Sequence, residues 1–165
     1  MEKKLFKAIL FDLDGTLLHT APDLTVAVNN LRIEYGLPAL PADEAVAMVG
    51  RGAINLVRRA LREVIDQTTE RGESFDIDAA YARFAEHYHA SNGQKTVEYA
   101  GVTNTLQRLH AQGIRLGIVT NKPSEFSLPL VRQFGWDKLF EVVVCGDTTP
   151  FKKPNPAPLA FALQT

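Results

Sequence analysis

The sequence predicts an α/β protein: a Rossmann-like parallel sheet, three strands of it expected in this chain, with an inserted all-helical cap domain. Three observations predict it. A short, continuous apolar run at residues 8–11 reads as a strand buried on both faces, and the stretches 114–120 and 142–145 read as two further core strands. Helical patterns separate the second and third runs and follow the third, which is the alternation of a right-handed β-α-β core. From Thr20 to about Ser91 the spacing is helical throughout, with no strand signal.

The first strand leads directly into Asp12-Leu13-Asp14-Gly15-Thr16. In open parallel sheets, ligands bind beyond the carboxyl ends of the strands, so both acids stand where chemistry is expected. Residues i and i+2 leave a strand on one side, and two carboxylates so placed repel unless a cation lies near. Hard oxygen ligands suit magnesium. The same letters also make an ordinary acidic turn, and they open like a calcium loop. The calcium reading lacks its later ligand, since the twelfth position counted from Asp12 is Asp23, where Glu is needed.

Thr20-Ala21-Pro22-Asp23 reads as a capping-box helix start, with Leu24, Ala27, Val28, Leu31 and Tyr35 at helical spacing before Gly36 and Pro38. A short helix is expected from Asp43 to Met48. A third helix follows Gly50-Arg51-Gly52 and carries Leu56, Val57, Ala60, Leu61 and Val64. The polar stretch from Gln67 to Ser74 reads as a loop, and Asp76 caps a fourth helix. Beyond Tyr99-Ala100-Gly101 comes a core helix ended by Gly113, then the second strand, ending in Thr120-Asn121-Lys122-Pro123. Ser124 is expected to cap the next helix, with Pro129 as an interruption inside it. After the third strand, a proline-rich turn at 152–158 leads into a last helix. The expected division is therefore a core of residues 1–18 and 92–165 and a cap of residues 19–91. The cap is expected to act as a lid over the acidic loop, which suits chemistry that excludes water.

Composition narrows the function. A chain of 165 residues, 45% apolar and 22% charged, matches an ordinary globular protein. Its net charge of −1 gives no electrostatic footprint for nucleic acid or an anionic membrane. The N-terminal apolar run, broken at Asp12, is too short for a secretory signal or a span. Cys145, the single cysteine, fits a reducing cytoplasm and reads as a buried structural thiol.

Three loops at consecutive strand ends are expected to converge. The first offers Asp12 and Asp14; the second Thr120 and the backbone amides of the 121–124 helix start; the third Lys153. A hydroxyl, amides and a lysine make a phosphate cradle, and the carboxylates supply a nucleophile and a proton donor. Arg51, in a glycine-flanked loop, is either a solvated residue or a guanidinium suited to a small carboxylate. Arg58, Arg59 and Arg62 read as a solvated face. His87 and His89, two apart on a helix, point away from each other and do not read as a metal pair.

The ordered segments Asp12-Leu13-Asp14-Gly15-Thr16-Leu17, Thr120-Asn121 and Lys153-Pro154 resemble the first three motifs of the haloacid dehalogenase superfamily, from about residue 7 to the last residue. The resemblance is nearest to the branch that hydrolyses 2-phosphoglycolate, through Ala21-Pro22-Asp23-Leu24, Val49-Gly50-Arg51-Gly52-Ala53 and the stretch from Lys153 to Leu159. It implies a magnesium-dependent phosphatase in which Asp12 is the nucleophile and Asp14 the general acid and base. Thr120, the Asn121 amide and Lys153 would bind the phosphoryl group, and the Asp12 carboxylate with the Asp14 backbone carbonyl would ligate Mg2+. Arg51 would face the substrate. The alternatives are another phosphatase or a sugar-phosphate mutase of the same superfamily, or a non-catalytic phosphate- or partner-binding module. His19 stands where the family usually has an acid.

The same resemblance implies a fourth motif, Gly-Asp with a further acid, that this sequence does not carry. Gly146-Asp147 precedes the lysine and is followed by no second acid. The expectation is a chain holding the N-terminal two-thirds of a phosphatase, with weak or no turnover. Its first strand is then expected to be an apolar edge.

Overall fold

The computed structural model describes residues 6–50 and 52–164. In chain order its elements are β1 (Ala8–Phe11), β2 (Leu18–His19), α1 (Ala21–Glu34), α2 (Ala42–Ala47), α3 (Ala53–Ala60), α4 (Arg62–Glu70), α5 (Ile77–Ser91), β3 (Val97–Glu98), α6 (Val102–Ala111), β4 (Arg115–Val119), α7 (Ser124–Gln133), β5 (Val142–Val144) and α8 (Ala157–Gln164). They fall into two compact units, Met1–His19 with Val97–Thr165, and Thr20–Thr96. Among the described residues, no helix is long and apolar enough to cross a membrane.

The first unit is built on a three-stranded parallel sheet in the order β1-β4-β5, with Leu10 opposite Gly117 and Gly117 opposite Val142. On one face Leu116 and Ile118 pack with Leu13, Leu106, Leu130, Trp136 and Phe140. The other face is thinner, with Val119, Val144, Leu10 and Val142 meeting Ala162 of α8. Gly117 allows close packing there: a Cβ at this position would lie 2.6 Å from Leu10 Cδ2 and 2.9 Å from Val142 Cγ1, so both side chains would have to shift. The strand expected to be buried on both faces is only half-buried at every residue of β1. Among the described residues β1 is an outer strand with one hydrogen-bonded neighbour, and Ala8 and Leu10 line an open pocket of about 190 Å³ with Gly117, Val142, Ala162 and Leu163.

Two short strands in this unit have no counterpart in the sequence reading. Leu18 pairs with Glu98 and His19 with Val97, antiparallel. Two-residue strands give no periodicity to read. His19 lies in this ribbon, its ring 5.9 Å from that of Tyr99. Helix α7 runs unbroken through Pro129. Pro129 and Glu125, whose carbonyl the missing N–H would have reached, both lie on the exposed face, where water can serve the carbonyl.

The second unit is all helical, with α1 packed along α5. Leu24, Ala27, Val28 and Leu31 from α1 and Ala80, Phe84 and Tyr88 from α5 are buried. Arg32, 2% exposed, ties α1 to the following helices. Its Nε donates to the Pro38 carbonyl at 2.8 Å, and Nη1 to the Ala60 carbonyl at 2.5 Å. Nη2 pairs with Glu63 at 3.2 Å. The single third helix expected through Val64 is two helices broken at Leu61, and the Arg32 guanidinium donates to the Ala60 carbonyl at that break.

The expected loop from Gln67 to Ser74 begins later, because α4 continues to Glu70. Thr68 and Thr69 turn their hydroxyls onto the carbonyls of Val64 and Ile65, so these polar residues keep helical backbone. The capping box at Thr20 is also absent. Thr20 has helical dihedrals and caps nothing with its side chain. Asp23 instead accepts from the Gly93, Lys95 and Thr96 amides and the Thr96 hydroxyl, closing the two ends of the unit on each other. Asp76 caps α5 as expected, accepting from the Asp78 and Ala79 amides.

Candidate active site

The first unit contains the acidic loop and both later strand ends. Leu13 anchors the first loop, its side chain wholly buried and its carbonyl accepting from the amides of Thr16, Leu17 and Leu18. Gly15, at φ 75°, makes the left-handed step that this tight turn needs. Asp12 and Asp14 flank that anchor. Asp12 Oδ1 accepts from the Leu13 amide at 2.8 Å, and Oδ2 meets Lys153 Nζ at 2.8 Å. Asp14 meets Lys122 Nζ with both oxygens, at 3.2 and 3.4 Å. Each carboxylate thus has its own ammonium, from a different strand end of the same unit.

Thr120 follows β4 and is 4% exposed. Its amide donates to the Val144 carbonyl and its hydroxyl accepts from the Lys122 amide at 3.2 Å. Asn121 uses its side chain on the neighbouring loop: Nδ2 donates to the Lys153 carbonyl at 3.0 Å, and the Lys153 amide donates to Oδ1 at 2.9 Å. The expected row of helix-start amides is therefore partly spent internally. Lys122 N–H goes to Thr120, Pro123 has no N–H, and Ser124 N–H goes to Asp147.

Ser124 is not the cap of α7 but its first residue, and Asp147 supplies the cap from outside. Its carboxylate takes the Ser124 amide at 3.0 Å and the Ser124 hydroxyl at 2.6 Å. The Gly146-Asp147 pair thus joins the β4 and β5 loops. Gly146 N–H donates to the Lys122 carbonyl at 2.8 Å, and a Cβ on Gly146 would stand 2.2 Å from the Asn121 carbonyl oxygen. Only glycine permits that approach. Cys145 is buried beside this contact, and burial pushes its thiol up to about 11, which suits a structural thiol and not a nucleophile.

Asp12, Asp14, Thr120, Asn121 and Lys153 are therefore gathered at one end of the sheet. Arg51 lies outside the described residues. Lys122 is the residue that sequence reasoning passed over. It stood inside the quoted Thr120-Asn121-Lys122-Pro123 turn, but nothing local tells that its side chain is buried, 3% exposed, against Asp14. Among the described residues no cluster of three or more His, Cys, Asp or Glu could hold a metal. His87, dismissed as a ligand, has its Nε2 2.8 Å from Glu34.

A parallel sheet carrying paired carboxylates and lysines at its strand ends, together with a separate helical unit, is the arrangement of a phosphotransferase-type hydrolase. The family model for haloacid dehalogenase-like hydrolases matches residues 9–165, and the chain belongs to that family. It is 40% identical over 163 residues to a phosphoglycolate phosphatase of Pseudomonas fluorescens (strain Pf0-1), covering 98% of this chain and 58% of the relative. It is 41% identical over 155 residues to a plasmid-borne phosphoglycolate phosphatase of Cupriavidus necator, covering 94% of this chain and 65% of that one. The chain thus spans about three-fifths of the length of these relatives. A crystal structure of a predicted phosphoglycolate phosphatase from Haemophilus somnus 129PT superimposes with a TM-score of 0.86 at 32% identity, covering 96% of this chain and 71% of that one.

Proposed function

We propose that the chain carries the phosphatase chemistry of an enzyme that hydrolyses 2-phosphoglycolate to glycolate and phosphate through an aspartyl-phosphate intermediate. The observation that carries this reading is the pairing of each acid with its own lysine, Asp12 with Lys153 and Asp14 with Lys122. Such pairs hold a nucleophile and a proton carrier in distinct places while supplying positive charge for a phosphoryl group.

In this reading an Asp12 oxygen attacks phosphorus as the bond to the glycolate oxygen breaks, and Asp14 gives its proton to that oxygen. Asp14 then takes a proton from the water that attacks the aspartyl phosphate, which restores Asp12 and releases inorganic phosphate. Lys153, now on Asp12 Oδ2, is within reach of any phosphoryl oxygen that approaches that carboxylate. Thr120 offers its hydroxyl from the floor of the site, and the Asn121 side chain holds the Lys153 segment. Arg51 is assigned to the glycolate carboxylate on the strength of the sequence alone.

The donor set fits magnesium in one respect: it consists of hard oxygens, the Asp12 carboxylate and the Asp14 backbone carbonyl. With only these, water and phosphate oxygens would complete the shell, as is usual for this ion. When bound, it would neutralise charge between Asp12 and the phosphoryl dianion. A reducing cytoplasm suits the single buried thiol.

The test is phosphate release from 2-phosphoglycolate with Mg2+, alongside Asp12→Asn. Slow release that disappears in the variant, with a hydroxylamine-sensitive acyl phosphate trapped only in the unaltered chain, is the expected result. Release that survives Asp12→Asn would overturn the reading.

A further inference from the structure

We propose that Lys122 is a positioning residue that holds the Asp14 carboxyl in line with the leaving-group oxygen. This rests on the reading of Asp14 as the proton carrier. Lysine is rarely buried without a partner, and Lys122 is 3% exposed in its side chain, with Asp14 as its ion-pair partner. The ammonium reaches both carboxylate oxygens, at 3.2 and 3.4 Å, so it constrains the rotation of the carboxyl and not merely its distance.

The lysine itself has little freedom. Its amide donates to Thr120 Oγ1 at 3.2 Å, and its carbonyl accepts from the Gly146 amide at 2.8 Å and the Ser127 hydroxyl at 3.3 Å. Asp14 sits on the turn pinned by Leu13, and its own residue forms a bridge with Leu18. β1 and β4 are adjacent and in register, Phe11 opposite Ile118, so the two loops start from fixed points. Two anchored backbones joined by an ion pair whose lysine is buried define where the Asp14 carboxyl stands. Lys153 differs, being 25% exposed in its side chain and paired to a carboxylate that is 43% exposed. Asp14 is 17% exposed and its lysine 3%, so the more open pair is placed to meet substrate, and the more enclosed pair to hold a group still.

In the step concerned, Asp12 forms a bond to phosphorus, the P–O bond to the alcohol breaks, and the Asp14 proton passes to the departing oxygen. A misplaced Asp14 slows this step only where the leaving group needs the proton. The experiment compares kcat/KM for 2-phosphoglycolate and for p-nitrophenyl phosphate in the unaltered chain and in Lys122→Met, which keeps the apolar stem. The ratio kcat/KM reports the steps up to loss of the alcohol, so the later water attack does not enter. Displacing an oriented group by an ångström costs about 10²-fold. We expect a loss of that order for the alkyl phosphate and a much smaller one for the nitrophenyl ester, whose anion leaves unaided. Equal losses on both substrates, or none on either, overturn the inference while leaving the reaction in place. Absence of turnover in the unaltered chain overturns the reaction and the inference with it. A second measurement does not depend on turnover or on the variant folding: the 15N-ammonium signal of Lys122 should be protected from exchange in the unaltered chain and lost in Asp14→Asn. A signal unchanged by Asp14→Asn overturns the pairing itself.

Discussion

Asn121 and Lys153, thirty-two positions apart, exchange two hydrogen bonds: the Asn121 amide nitrogen donates to the Lys153 carbonyl at 3.0 Å and the Lys153 N–H returns to Asn121 Oδ1 at 2.9 Å. A side-chain amide carries a donor and an acceptor side by side and so can match a backbone N–H and C=O together. The loop after β4 thereby holds the segment that carries the lysine against Asp12. Asn121→Ala should lose both bonds, destabilising the first unit by about 1–3 kcal/mol. Asn121→Asp keeps the acceptor, loses the donor and should fall between. Urea denaturation of the three proteins, with unchanged m, checks the order.

A carboxylate also closes the second unit. Asp23 is 1% exposed and accepts four hydrogen bonds, from the Gly93, Lys95 and Thr96 amides and the Thr96 hydroxyl, at 2.6 to 3.0 Å. Asp23→Ala leaves three amides and a hydroxyl without that acceptor in a buried place, at a cost of about 3 kcal/mol or more. Asp23→Asn preserves the shape but turns an NH2 toward a donor, and should cost less. Thermal unfolding followed by circular dichroism gives the ranking, and a silent Asp23→Ala would refute the account.

What could be read from the sequence was what is local. The acidic loop, the strand-end threonine and the lysine before Pro154 each declare themselves by neighbours in the chain, and the three parallel strands by short, mostly apolar stretches. The apolar run of β1 alone read as a strand buried on both faces, and only the resemblance made it an edge, because burial of a strand depends on what lies beside it. Lys122 and Asp23 were missed for the same reason. Their partners are 108 and about 70 positions away, so local pattern assigned one to a turn and the other to a capping box. The break at Leu61 is met by an arginine from another helix, a contact that no window around residue 61 contains.

Gly146 makes a sharper steric prediction. The nearest atom to a Cβ there is the Asn121 carbonyl oxygen at 2.2 Å, followed by its carbon at 2.8 Å, both backbone. Neither can rotate away, so Gly146→Ala must push the β4 and β5 loops apart. Gly135, at φ 70°, has open space around its Cβ, so Gly135→Ala carries only the left-handed penalty of roughly 1–2 kcal/mol. Gly146→Ala should therefore be the more destabilising of the two. It should also weaken phosphate binding, since the lysine-bearing segment moves with the loops. Equal melting temperatures would refute the steric argument.

Cys145 gives a pH dependence with a definite sign. Burial comes first among the causes that raise its thiol from 9.0 to about 11; the carboxylate of Asp147 adds to the rise, and hydrogen bonds with Ser127 and Thr148 oppose it. The folded value lies above the unfolded one, and the protonated thiol is the neutral form. The thiol's contribution to stability is therefore fully present below about pH 9 and is lost progressively as pH rises toward 11. The native chain should react slowly with Ellman's reagent at pH 8 and release one equivalent of thiolate once denaturant exposes it. Cys145→Ala removes the ionisation, so its urea midpoint should fall less steeply than that of the unaltered chain between pH 9 and 11. Parallel midpoints across that window would show that the thiol does not sense the fold.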